Sequence, residues 1–327
     1  MIRGAVIGAA GVLLLAQAGA AQEAQGRSFS GTVVTGDVPA AGVPVTLHRV
    51  TTDGSGSVGE AVSGSGGEFR FSLPPADSSG FEVLFATAEY RSVRHLGPVV
   101  HGGAAVEDYR IAVFDTASVI PGAIQVVRRD VVLFPETAGG WEATERILLR
   151  NSADRTLIYN DGSPSWEVKL PDGVTDFETG EGELTAAEIT LMGDRLLLLA
   201  SITPGDRSLL FRYRIPAELE NSRLAIDTPT DTFNIFVNQP APQLEISGLT
   251  TTSVVEVQGE RFVQYGANAL AAGDEVMLSW EGPKGPPVAP ELAGGAAAAL
   301  VLLIGTWVAA RNRAGRGTAA AGAPLPG

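Results

Sequence analysis

Residues 208–215 read Ser-Leu-Leu-Phe-Arg-Tyr-Arg-Ile. Leu209, Phe211, Tyr213 and Ile215 recur at every second position, with Arg212 and Arg214 between them. Alternate residues of a strand point to opposite faces, so this spacing specifies a strand with one apolar and one polar face. The same period recurs on both sides. Towards the C-terminus it marks Phe233–Val237, Gln243–Ile246, Ser253–Val257, Arg261–Tyr265 and Glu275–Trp280. Towards the N-terminus Gln125–Pro135, Trp141–Arg150, Thr156–Tyr159 and Trp166–Leu170 also read as strands. Leu196–Ile202 is apolar throughout and predicts a strand covered on both faces. Asn160-Asp161-Gly162 and Pro171-Asp172-Gly173 supply turn chemistry between the runs.

Ser28–Asp115 repeats the pattern on a smaller scale. Its alternating sets are Phe29, Gly31 and Val33; Val43, Val45 and Leu47; Phe69, Phe71 and Leu73; Val83 and Phe85; and Tyr109, Ile111 and Val113. Short strands separated by Gly, Pro, Asp and Ser predict an all-β chain of two or three antiparallel sandwich domains. One occupies residues 28–115, and the β-rich remainder occupies 120–280, with a second boundary near 239 as an open alternative. Thr116–Pro121 reads as a linker.

The first of these regions resembles the carboxypeptidase regulatory-like domain, a transthyretin-like sandwich related to carbohydrate-binding-like folds. The resemblance rests on Gly31 and Val33, Gly42 to Leu47, Gly67, Phe69, Phe71, Leu73, Pro74 and Tyr90. Gly64–Gly67 stands where the family carries Thr-Asp, and Glu89 where it carries Gly. The resemblance implies a sandwich fold and an accessory module of exported proteins. Glycan binding is an analogy only.

The ends of the chain predict its address. Arg3, the apolar run Ala5–Ala16 and Ala18-Gly19-Ala20 have the form of a signal peptide over residues 1–20. Leu292–Ala310 is uncharged and would span roughly 28 Å as a helix, close to a bilayer core. Arg311, Arg313 and Arg316 come after it and place residues 311–327 in the cytoplasm. Residues 281–291 hold four prolines in EGPKGPPVAPE and predict an extended stalk. The expectation is therefore a single-pass membrane protein with its bulk extracytoplasmic, periplasmic or at the cell surface.

The formal net charge is −14. Four of the basic residues lie in the expected leader and tail, so the part between them is more acidic still, which argues against nucleic-acid partners. The absence of cysteine excludes disulfides, thiolate metal sites and cysteine nucleophiles.

Motifs that could carry chemistry are sparse. Gly54, Gly56 and Gly59 match the Gly-x-Gly-x-x-Gly of dinucleotide sites. The residues after them, EAVSGSGGEFRF, lead into a strand rather than the helix such a site needs, so a flexible hairpin loop is expected. Asp176, Glu178, Glu181 and Glu183 offer hard oxygens without the spacing of a calcium loop, and whether they bind calcium is left open. His48, His95 and His101 form no zinc-peptidase motif. Trp141, Trp166 and Trp280 suit core packing better than a sugar platform. No catalytic, cofactor or metal residue is assigned. The expected function is a non-catalytic binding or assembly protein serving an envelope or membrane partner; the alternative is a carbohydrate-binding cell-envelope module.

Overall fold

A computed structural model describes residues 27–76, 80–118, 120–137, 139–159, 163–180 and 187–281. The expected signal peptide, the membrane helix, the cytoplasmic tail and all but Glu281 of the stalk lie outside them. Among the described residues no helix is long and apolar enough to cross a membrane. The described residues are all β, with one short 3-10 turn among them at Ala217–Leu219. It forms two compact units, one from residues up to Glu89 plus Arg94–Val113 and one from Tyr90–Val93 plus Phe114 onward.

The first unit contains β1 (Ser28–Thr35), β2 (Val38–Pro39), β3 (Pro44–Thr51), β4 (Gly54–Val62), β5 (Glu68–Ser72), β6 (Glu82–Tyr90), β7 (Val93–Leu96), β8 (Val100–His101) and β9 (Val106–Val113). One sheet runs β2-β1-β5 with β9 on β1, and the other runs β4-β3-β6-β7 with β8 on β6. The residues that alternate in sequence are the ones buried: Phe29, Val33, Val45, Leu47, Phe69, Phe71, Ile111 and Val113. Tyr109 ties the sheets together. Its hydroxyl donates to the Pro98 carbonyl at 2.5 Å and accepts the Ala86 N–H at 3.1 Å, and its ring lies 4.6 Å from that of Phe29. Burial raises the pKa of this phenol above its ordinary value. Gly31 is required beside it, because a Cβ there would overlap the Tyr109 carbonyl oxygen.

The second unit contains β10 (Thr116–Ala117), β11 (Ile124–Pro135), β12 (Trp141–Asn151), β13 (Thr156–Leu157), β14 (Trp166–Lys169), β15 (Thr175–Thr179), β16 (Ile189–Met192), β17 (Arg195–Leu198), β18 (Gly205–Ile215), β19 (Asn221–Ala225), β20 (Thr230–Gln239), β21 (Leu244–Ser247), β22 (Thr250–Val257), β23 (Glu260–Leu270) and β24 (Glu275–Trp280). A seven-stranded sheet in the order β15-β18-β12-β11-β20-β23-β22 is joined by the three-stranded sheets β14-β17-β16 and β19-β24-β21 and the pair β10-β13. One apolar core includes Val131, Ile147, Phe211 and Phe233 of the large sheet together with Trp166, Leu198 and Leu278 of the smaller ones. Because β20 and β23 pair on either side of position 239 in one sheet, no boundary falls there.

Three expectations change. Most pairs are antiparallel, but β1 with β9, β10 with β13 and β11 with β20 are parallel. The run Leu196–Ile202 forms only the short β17; Leu196, Leu198, Ala200 and Ile202 are buried while Leu197 and Leu199 are half-buried, because a small sheet covers one face fully. Gly54–Gly59 is not a loop. It is part of β4, held along its length by β3, whose backbone supplies the pairing that the glycines lack in side chains.

A bulge in β11 between Val126 and Arg128 sets the interior of the second unit. One extra residue inverts the side-chain phase. Ile124 and Val126 before it, and Val131 and Leu133 after it, therefore all reach the same core. The phase change also turns Arg129 inward, where its Nε donates to Glu145 at 2.6 Å and its Nη1 to the Ala225 carbonyl at 2.8 Å. Tyr213 donates to the other Glu145 oxygen at 2.9 Å, and burial pushes that phenol well above its ordinary pKa. On the opposite face Asp130 is 2% exposed, accepts from Asn234 at 2.7 Å, and leaves Oδ2 without a partner. Burial raises its pKa, against the opposing pull of Arg128, the Asn234 hydrogen bond and Arg146.

These contacts are open to two tests. Tyr109→Phe strips the buried Ala86 N–H and the Pro98 carbonyl of their partner and should cost the first unit about 1–3 kcal/mol in urea unfolding, with Gly31→Ala costing about 3 kcal/mol through backbone overlap; an unchanged midpoint for either contradicts the packing described. For Asp130 the folded pKa lies above the unfolded one, so its ionisation penalises the fold increasingly as pH rises through the folded value. Asp130→Asn should therefore raise the thermal midpoint at pH 8, and the gain should shrink as the pH is lowered towards 4. A gain that grows at low pH would show the sign to be wrong.

Candidate functional site

The β3–β4 hairpin borders an open recess of the first unit. Thr52 and Asp53 form its two-residue turn, and the register sets Thr51 opposite Gly54, Arg49 opposite Gly56 and Leu47 opposite Gly59. Paired residues point to the same face of a sheet. Leu47 and Val45 point into the core, so the matching positions on β4 are Gly54, Gly56, Gly59 and Ala61. With nothing larger than a methyl on that face, a space of about 730 Å³ remains between β4 and the end of β5, walled by Ser72, Leu73 and Pro74.

Arg49 lies in this recess within a charge triad whose carboxylate is buried. Glu82 is 3% exposed and accepts from Arg49 Nε at 2.6 Å and from Arg27 Nη1 and Nη2 at 2.7 and 3.1 Å. Arg27 also donates to the Gly103 and Pro74 carbonyls, and Arg49 Nη2 donates to the Pro75 carbonyl at 3.0 Å. The Arg27 hydrogen bond, joined by that of Arg49 and by both positive charges, holds the Glu82 carboxyl below its usual pKa despite burial. Two guanidinium groups against one carboxylate leave one positive charge uncompensated within the triad. Arg49 Nη1 bonds to no other described group and is free to donate.

The other sequence candidates are dispersed. His48 stacks on Phe85 with centroids 4.8 Å apart and meets Thr87 Oγ1 at 3.0 Å; burial first, and then Arg94, lowers its pKa. His95 is buried on β7, and His101 is exposed on β8. Asp176 and Glu178 lie on β15 rather than in a turn, where they meet Arg214 and Arg212 of β18; Glu181 and Glu183 lie outside the described residues. Among the described residues no three His, Cys, Asp or Glu side chains gather as metal ligands. Trp141 and Trp280 pack edge to face at 6.4 Å in the second core, and buried Trp166 donates to Thr228, so none of the three forms a surface platform.

Arg27, Arg49 and Glu82 were invisible to sequence reasoning. They are separated by 22 and 33 positions, and no local pattern marks them as neighbours. The one available signal was the glycine spacing: Gly54 and Gly56 lie two apart, and the bulge before Gly59 brings it onto the same emptied face.

No family model matches the chain, and no curated protein does. Among solved structures, the M1 zinc metallopeptidase of Deinococcus radiodurans is similar at 11% identity and a TM-score of 0.30, over 48% of this chain and 42% of that one. The chain therefore spans less than half the length of that metallopeptidase. The major pilin subunit of Bacillus cereus is similar at 9% identity and a TM-score of 0.19, over 82% of this chain and 95% of that one. Neither likeness carries an argument about fold or function.

Proposed function

We propose that this chain is a non-catalytic, membrane-anchored extracytoplasmic protein that binds or assembles with an envelope partner. In this reading its two β units are sandwich domains held on a Pro-rich stalk by one C-terminal helix, and the first unit is a carboxypeptidase regulatory-like module. The recess beside Arg49 carries the reading. Its lining combines a guanidinium with free donors, hydroxyl groups, strand backbone and an apolar wall of Leu73 and Pro74, which is the equipment of a recognition site. The leader-like and span-like stretches at the ends of the sequence supply the address. The carbohydrate alternative draws nothing from Trp141, Trp166 or Trp280, which are committed to the second core.

The test is cross-linking of the tagged full-length protein in its own host, with extraction in mild detergent and identification of what co-purifies. A stoichiometric envelope or membrane protein is the expected result. Recovery of the chain alone at every cross-linker length would overturn the reading.

A further inference from the structure

β4 ends its sheet, in the order β4-β3-β6-β7, so one side of its backbone is unpaired. The two-residue turn makes Thr51 and Gly54 a hydrogen-bonded pair, and pairs then alternate along the hairpin. Gly56 therefore spends its N–H and C=O on Arg49, while those of Ser55 and Ser57 turn outward along the open edge. Up to Ser57 this edge is regular, because the bulge comes only after it, between Leu47/Gly59 and His48/Ser57. An extended segment approaching this edge meets no side chain at Gly54 or Gly56. Beyond them it reaches the free Nη1 of Arg49, with Leu73 and Pro74 as the far wall.

We propose that this recess takes an extended partner peptide, which adds as a strand to Ser55 and Ser57 of β4 and sets one carboxylate on Arg49 Nη1. The proposal rests on the binding function proposed for the chain and names its site and the chemistry of the partner. Strand addition supplies affinity through main-chain hydrogen bonds, and a charge-assisted bond to the guanidinium supplies selectivity. Arg27 and Arg49 outweigh Glu82 by one charge, enough for one carboxylate. The chain as a whole carries −14, and Asp53 stands at the hairpin tip, so a run of acidic residues is repelled where a single one is held. The ligand is accordingly a β-prone segment with one acidic residue, rather than a polyanion.

The test uses the full-length protein in detergent micelles and fluorescence anisotropy of a fluorescein-labelled octapeptide alternating Thr and Val with one central Glu. Its Gln counterpart and a triple-Glu counterpart serve as comparisons. The single-Glu peptide should bind about tenfold more tightly than either, a difference of about 1.4 kcal/mol. Ser55→Pro removes one outward N–H and leaves the β3 ladder intact, since Pro is tolerated where an edge N–H faces solvent; it should abolish binding without moving the thermal midpoint. If Ser55→Pro perturbs the fold, Gly56→Val fills the recess and should abolish binding instead. Arg49→Gln should equalise the Glu and Gln peptides. Equal binding of the three peptides, no binding of any, or undiminished binding in a folded Ser55→Pro or Gly56→Val variant overturns the proposal. A partner captured equally by wild type and Ser55→Pro in the cross-linking experiment also overturns it while leaving the binding-protein reading intact.

Discussion

The second unit depends on the parallel pairing of β11 with β20, from Val126 opposite Thr230 to Leu133 opposite Val237. This pairing is the middle of the seven-stranded sheet. On one side of it hang β12, β18 and β15, and on the other β23 and β22. Strands about a hundred positions apart are joined here by hydrogen bonds and by the packing of Val131, Leu133, Phe233 and Ile235 against one core. A chain without cysteine has no covalent means of closing so long a loop, so apolar burial along this seam must offset the loss of chain freedom.

Two guanidinium–carboxylate groups, one sealed and one partly open, show how the same chemistry serves opposite ends. Arg129 and Glu145 are sealed in the second unit, where the Tyr213 hydroxyl and the Ala225 carbonyl complete the set and the Phe233 ring lies 5.2 Å from the guanidinium carbon. Such a pair rewards one arrangement of strands and penalises any register that leaves either charge alone. Arg27, Glu82 and Arg49 are unequal in charge and sit at the boundary of the first unit, with side chains 15%, 2% and 21% exposed. Only the carboxylate is sealed, and Arg49 keeps donors in hand.

How far the sequence reveals these features depends on the range of the forces involved. Strands whose alternation reports a half-buried sheet, such as Ser208–Ile215 within β18 and Trp141–Arg150 within β12, are legible because each side chain records its own environment. The parallel partner of β11 is not, because period-two patterns look alike in parallel and antiparallel strands. The bulge at Val126 and Arg128 hides in QVVRRDVVLFP, where apolar residues on both sides of Arg128-Arg129 suit either phase. β4 escapes because glycine and serine carry no strand preference of their own, and only the partner strand makes them extended. For the recess, the glycines were legible as a spacing but not as an emptied face, and the triad needed three strands brought together.

Both outer strands of the large sheet are irregular, with register shifts between Thr175 and Glu178 in β15 and between Thr251 and Ser253 in β22. A bulge twists an edge out of the plane that a second sheet would need for stacking. Thr250–Val257, rich in Thr and Val and carrying one acid, has the composition of an amyloid-forming segment, and its kink denies such a segment a straight template. At these two edges, though not at β4 of the first unit, backbone geometry rather than charge hinders a second sheet from adding on.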